Sequence, residues 1–212
     1  MKTKMMTAAA MVGVRPDKLT LTELENISPL VLDFFAAWMD EAPNGELSFK
    51  SSEIDNSVCQ AGVYDPVMVR SHYLFYSAIE ALCFCNLNNG CLERPGSSAF
   101  TLLGLLPVAV QIRKLQAQLP NAKVFTVLDN DLLGRTLDCK IALWSKNKDA
   151  GFYLHKDRVM CNYQTLTYRF LENEFSLHRF EKLSGLRSGI RTYKPKAGFV
   201  SFAELHRHEL NR

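Results

Sequence analysis

Asp129 and Asp131 stand two residues apart in the stretch K-V-F-T-V-L-D-N-D-L-L-G-R, residues 123–135. Two carboxylates at that spacing, directly after an apolar run, offer hard oxygen ligands to a divalent cation such as Mg²⁺. Asp and Asn are equally favoured in plain strand-to-helix turns, where their side chains bond the nearby backbone. The residues alone leave both readings open. A second set of candidates lies in residues 182–198, which hold Lys182, Arg187, Arg191, Lys194 and Lys196 and no acidic residue. Tyr193 is interleaved with them and Phe199 follows. Such a segment can track a phosphate backbone while an aromatic ring stacks on a base, and it can equally be a solvated loop. Arg187, Arg191, Lys194 and Lys196 are the nucleic-acid-binding candidates.

The elements that position these groups follow from periodicity. Residues 123–128 are rich in β-branched and aromatic side chains and read as a buried strand of a parallel sheet, with Asp129 and Asp131 at its carboxyl end. In open α/β sheets ligands bind at that edge. Gly134 allows a tight turn before a helical pattern over 135–146. Upstream, strand and helix alternate: strand 72–76, helix 78–87, a turn-rich stretch 88–98, strand 99–103 and helix 107–119. Alternation of this kind predicts parallel strands joined by covering helices.

The flanks are less regular. The first fifteen residues read as poorly ordered. Ser28 and Pro29 predict a helix start, continuing to residue 40 with Leu30, Val31, Phe34, Phe35, Trp38 and Met39 covering more than one stripe. A short strand is predicted at 47–49. Residues 152–155 and 159–163 read as a hairpin or edge strand with its turn at 156–158. Residues 167–183 read as a helix closed by Ser184 and Gly185, and 201–210 as a last helix with Ser201 and Glu204 in a capping box. The basic segment between these two helices is predicted to be a mobile connection.

Composition sets the class. The chain has 212 residues, 47% of them hydrophobic and 22% charged, enough to bury a core without disulfide or metal staples. The most apolar interval, 99–112, is too short for a bilayer and is broken by Gly104 and Pro107, so no membrane partner is expected. The amino-terminal residues lack the long hydrophobic stretch of a secretory signal. Six scattered cysteines fit a reducing, cytoplasmic setting. Cys83, Cys85 and Cys91 lack the paired spacing of a zinc site, so no zinc is expected. Charge is uneven: residues 132–212 carry fifteen Lys/Arg against eight Asp/Glu, net +7, and residues 1–131 carry ten against fourteen, net −4.

The order of motifs resembles the Toprim domain of topoisomerases, bacterial primases and related nucleases, especially the Toprim-like domains of mobile-element and plasmid proteins. In that family a first strand ends in Glu, with an Asp one helical turn on. The matching stretch here runs from Tyr73 through Tyr76, Ser77 and Glu80 to Leu82. The family's second strand leading to a glycine is matched by Phe100-Thr101-Leu102-Leu103-Gly104, and its D-x-D by Asp129-Asn130-Asp131 with Gly134. The resemblance covers roughly residues 70–150. It departs at two places: Tyr76 stands where the family has its catalytic Glu, and Glu80 stands where it has the Asp. A phenol with a pKa of about 10 is neutral at pH 7 and replaces a carboxylate poorly as an acid/base or a cation ligand.

The resemblance implies an α/β fold with a mostly parallel sheet flanked by helices. Three regions are expected: a partly helical amino-terminal region 1–69, the Toprim-like core 70–150, and a basic, α-rich extension 151–212 packing on it. It implies a catalytically impaired protein of DNA processing or mobilisation, with weak Mg²⁺ binding by Asp129 and Asp131. Its partner would be nucleic acid, DNA before RNA, or a DNA-processing protein; the oligomeric state is left open. Two alternatives stand beside it. One is an active Mg²⁺-dependent nuclease or phosphotransferase using Glu80, Asp129 and Asp131, with His72 or Lys123 assisting. The other is a protein-interaction scaffold docking through the apolar 30–39 helix.

Overall fold

Alternating apolar runs and crossover helices build a central sheet whose carboxyl rim carries the D-x-D turn. The computed structural model describes residues 26–36, 39–41, 47–49, 59–63, 65–94, 96–104, 106–196 and 198–212, without the side chains of 39–41, 47–49 and 59. In chain order the elements are α1 (Pro29–Phe35), β1 (Met39–Glu41), β2 (Leu47–Phe49), β3 (Cys59–Ala61), β4 (Ser71–Phe75) and α2 (Ala78–Leu87). They continue with β5 (Ser98–Leu102), α3 (Ala109–Gln118), β6 (Lys123–Val127), α4 (Leu132–Trp144), β7 (Gly151–His155) and β8 (Arg158–Tyr163). The chain closes with β9 (Leu166–Leu171), α5 (Leu177–Ser184), β10 (Arg191–Tyr193) and α6 (Phe202–Leu210).

β4 is central. It pairs in parallel with β5 and β6, so that Phe75 lies beside both Leu102 and Val127. β10 adds to β6 in parallel and β3 to β5 antiparallel, giving the order β10-β6-β4-β5-β3. The fold is thus α/β, with a mixed, mostly parallel sheet flanked by helices. All of β5 and nearly all of β4 are buried, because helices cover both faces and leave no solvent side to alternate toward.

One face packs α1, α2 and α6. There Tyr73 stacks between Phe100 and Phe125, at centroid distances of 5.2 and 5.0 Å, and Phe84 meets Phe202 edge-on at 5.0 Å. The other face packs α3, α4 and α5 with the antiparallel meander β7-β8-β9, through Leu74, Ile112, Leu128, Ile141, Phe175 and Phe180. Among the described residues no helix is long and apolar enough to cross a membrane.

Several expectations change. α1 stops at Phe35, and Met39–Glu41 is a strand paired with β2; Trp38 lies outside the described residues, as do the first fifteen. The helix predicted over 167–183 is two elements. Residues 166–171 form β9, in which Tyr168 and Phe170 pack inward while Thr167, Arg169 and Leu171 face out, a period of two. The helix begins only where Ser176 accepts the Arg179 N–H, at 3.3 Å. The basic segment is no free connection either: Arg191–Tyr193 extends the main sheet as β10. Among its described residues the extension 151–212 therefore holds four strands and two helices rather than being α-rich, and it completes the core sheet.

Candidate functional site

The D-x-D turn is made by two local devices. Asp131 is the N-cap of α4, in extended conformation, and its Oδ1 accepts the Gly134 N–H at 2.7 Å. The helix thus starts at Leu132, three residues earlier than the pattern suggested. Gly134 lies inside its first turn, where a Cβ would overlap the carbonyl oxygen of Asp129. The glycine is needed for close backbone approach rather than for a special φ. Asp129 itself is 1% exposed, and Tyr76, one residue beyond the Phe75–Val127 pair, is 4% exposed in the cluster with Leu128 and Leu132. The structure therefore brings Tyr76, Asp129 and Asp131 to one rim of a parallel sheet.

A half-buried cation holds the turn from behind. The Lys194 ammonium donates to the carbonyl oxygens of Leu128 at 3.1 Å and Asp129 at 2.9 Å, and pairs with Asp138 Oδ2 at 2.7 Å. The Thr126 hydroxyl donates to the other Asp138 oxygen at 2.6 Å. Burial pushes the Asp138 carboxyl up, against the pull of Lys194 and Thr126. Three separate segments, β6, α4 and the residue after β10, meet in this network.

Glu80 points to a different task from the one its place in the motif suggests. Its Oε2 accepts the Phe202 N–H at 2.9 Å and its Oε1 the Ala203 N–H at 3.3 Å, the first two amides of α6. Ser201 Oγ accepts the Glu204 N–H at 3.1 Å, and the Glu204 carboxylate accepts from Val200 N–H at 2.7 Å. The capping pair is present, shifted by one residue from the usual reciprocal pattern. Val200 in turn accepts the Asn130 N–H at 2.7 Å, which stitches the start of α6 to the D-x-D turn.

These engagements bear on a cation. One Asp131 oxygen caps α4, both Glu80 oxygens cap α6, and the remaining first-strand position is a phenol. Glu80 and one oxygen of Asp131 are thus in structural use, and with a phenol at position 76 the rim does not offer the family's three-carboxylate cradle. Among the described residues no three His, Cys, Asp or Glu side chains are grouped to hold a metal ion. His72 and Lys123 sit at the amino end of their strands, away from the rim. His72 is buried, its Nε2 is 2.7 Å from Thr101 Oγ1, and burial lowers its pKa to about 4.

The basic candidates separate. Arg187 and Arg191 are exposed. Lys196 is exposed and pairs with Glu209 at 2.9 Å. Lys194 does not belong with them: its side chain is 20% exposed and its charge is held inside the fold. Sequence reasoning passed over Asp138, Thr126 and Asn86. The signal for Asp138 was present, since it is an acid within the apolar run of α4 between Leu137 and Cys139. Within α1, Val31 and Phe35 are fully buried in the core, while Leu30 is exposed.

No family model, no curated protein and no solved structure matches this chain.

Proposed function

We propose that this chain is a Toprim-like protein whose acidic rim has been turned to structural use, and that it acts in DNA processing or mobilisation by binding rather than by cutting or joining strands. The observation that carries the reading is the Glu80 carboxylate, tied to the amides of Phe202 and Ala203 at the rim where a phenol replaces the family's other first-strand acid. A carboxylate committed to two backbone donors is held in a structural task rather than left to serve as a base. Its partner is DNA, engaged through the exposed guanidinium groups of Arg187 and Arg191 in the basic third of the chain. Contacts of this kind position a protein on a phosphate backbone without reading sequence.

The test has two arms. A mobility-shift titration on duplex and single-stranded DNA should show binding that weakens steeply between low and physiological salt, and that Arg187→Ala with Arg191→Ala reduces. Incubation with supercoiled plasmid over a range of Mg²⁺ and Mn²⁺ should leave it intact. Nicking that Asp129→Asn abolishes would establish the nuclease reading instead. Absence of any shift at low salt would remove the DNA reading and leave a protein-interaction scaffold.

A further inference from the structure

α2 ends at Leu87, and Asn89–Cys91 follow as a single 3₁₀ turn. Cys85 lies in the last turn of the helix, fully buried, and Cys91 closes the 3₁₀ turn, half-buried. Their Sγ atoms are 3.6 Å apart and both thiols are free. Asn88, Asn89 and Gly90 between them are exposed, so the turn meets solvent. We propose that Cys85 and Cys91 form a redox pair that closes to an intramolecular disulfide by exchange with a low-molecular-weight disulfide of the glutathione class.

The geometry assigns a role to each sulfur. An S–S bond is about 2.05 Å long, so the two atoms must close by roughly 1.5 Å. A three-residue turn entered through Asn88, whose backbone is already non-helical, can supply that shift without disturbing α2. Cys91 is the sulfur a solvent-borne disulfide reaches. Its thiolate attacks one sulfur of glutathione disulfide, forming a mixed disulfide and expelling one glutathione thiolate. Cys85 then loses its proton to water and attacks Cys91 Sγ, expelling the second glutathione thiolate. Two protein thiols are oxidised, one disulfide is reduced to two thiols, and two electrons pass. Burial and the neighbouring Cys91 hold the Cys85 thiol well up, so it stays protonated and inert until the mixed disulfide is beside it.

The location gives the closure a consequence. Asn86, next to Cys85, accepts the Ser28 N–H at 2.8 Å, donates to the Asn26 carbonyl at 3.3 Å, and lies 2.9 Å from His206 Nε2. It joins the start of α1 and the body of α6 to the end of α2. A disulfide beside it fastens that three-helix junction.

The experiment exposes the full chain to glutathione disulfide, quenches with an alkylating reagent, and reads intact mass and peptide maps. The expected product has lost two hydrogen atoms, carries a Cys85–Cys91 cross-link, and is restored by dithiothreitol. Cys85→Ser should trap one glutathionyl group on Cys91, and Cys91→Ser should leave Cys85 unmodified. Hydrogen exchange of the α2 end should slow in the oxidised form. The wild-type map decides even where the buried Cys85→Ser fails to fold. A stable glutathionyl adduct on wild-type Cys91, a cross-link through Cys83, or two thiols still alkylated in a strongly oxidising buffer would each overturn the proposal.

Discussion

Glu80 and Phe202 lie 122 positions apart in the chain, yet a carboxylate oxygen of the first accepts the backbone N–H of the second at 2.9 Å. The acid sits in the first turn of α2, and α2 is held by Ser77 at the end of the central strand. The negative charge thus lies against the N-terminus of α6, where the macrodipole and unpaired amides favour it. Replacing Glu80 with Gln keeps one acceptor and removes the charge; it should cost about 1 to 2 kcal/mol of stability. Ala at the same place should cost more, since two buried donors lose their acceptor. Urea unfolding measures both, and hydrogen exchange should show the loss concentrated at 202–210. Equal stability of all three proteins would mean that α6 docks by its apolar face alone.

The Lys194–Asp138 pair gives a sharper test because it is buried on the acid side. Lys194→Met leaves a carboxylate 1% exposed with only Thr126 to bond it, and should destabilise by about 3 to 5 kcal/mol. Asp138→Asn leaves the ammonium its two carbonyl acceptors and should cost less. In a double-mutant cycle the combined variant should recover a large part of the Lys194→Met loss, which additive, independent roles would not produce. DNA binding provides the second readout: Lys194→Met that still folds should leave affinity unchanged, unlike Arg191→Ala. A salt-dependent fall in affinity from Lys194→Met would return that lysine to the interface.

The centre of the fold was legible in the sequence and its borders were not, for physical reasons visible in particular residues. β4, α2, β5, α3, β6 and α4 alternate because each strand needs a covering helix, and that demand writes a strong period into residues 71–144. β9 was misread because its apolar residues, with Phe175, Leu177 and Phe180 beyond, mimic a helical stripe when the break at Ser176 is overlooked. Lys194 was read as a surface cation because a charge count treats every lysine as solvated, and only tertiary contact shows an ammonium held by Asp138. Asp131 could be seen in either of its roles, and the capping one is observed. Glu80 carries no local sign of its task, since its partners lie on the last helix.

Gly134 separates two effects that pull in opposite directions. In a helix interior Ala is favoured over Gly by about 1 kcal/mol, so on propensity alone Gly134→Ala should stabilise α4. Here the new methyl would meet the Asp129 carbonyl oxygen and its carbonyl carbon, both main-chain atoms held in place by Lys194. Backbone cannot rotate aside as a side chain would, so the overlap should win, with a net loss of roughly 1 to 3 kcal/mol. Thermal or urea unfolding of the single variant decides. A gain in stability would show that the D-x-D turn is free to shift and is not clamped between α4 and Lys194.

His72 sets an expected pH dependence whose sign follows from its burial. In the fold its pKa is lowered to about 4 by desolvation, whereas the unfolded chain titrates at the ordinary 6.5. Below 6.5 the unfolded state takes up a proton that the folded state refuses, so stability is fully present above that pH and falls as pH drops toward 4. The displacement corresponds to about 3 kcal/mol across that window. The ring lies in the central strand, against Thr101 on one side and beside a cavity of about 10 Å³ whose lining includes Leu74, Ile112, Ile141, Gln116 and Ser145 and no carboxylate to stabilise the imidazolium. Denaturant midpoints measured from pH 7.5 to 4 should therefore decline more steeply for the wild type than for His72→Gln, which keeps a polar partner for Thr101 and cannot titrate. Parallel profiles for the two proteins would mean that the imidazole is solvated or paired in the acid form, and that the buried His72–Thr101 contact does not persist in solution.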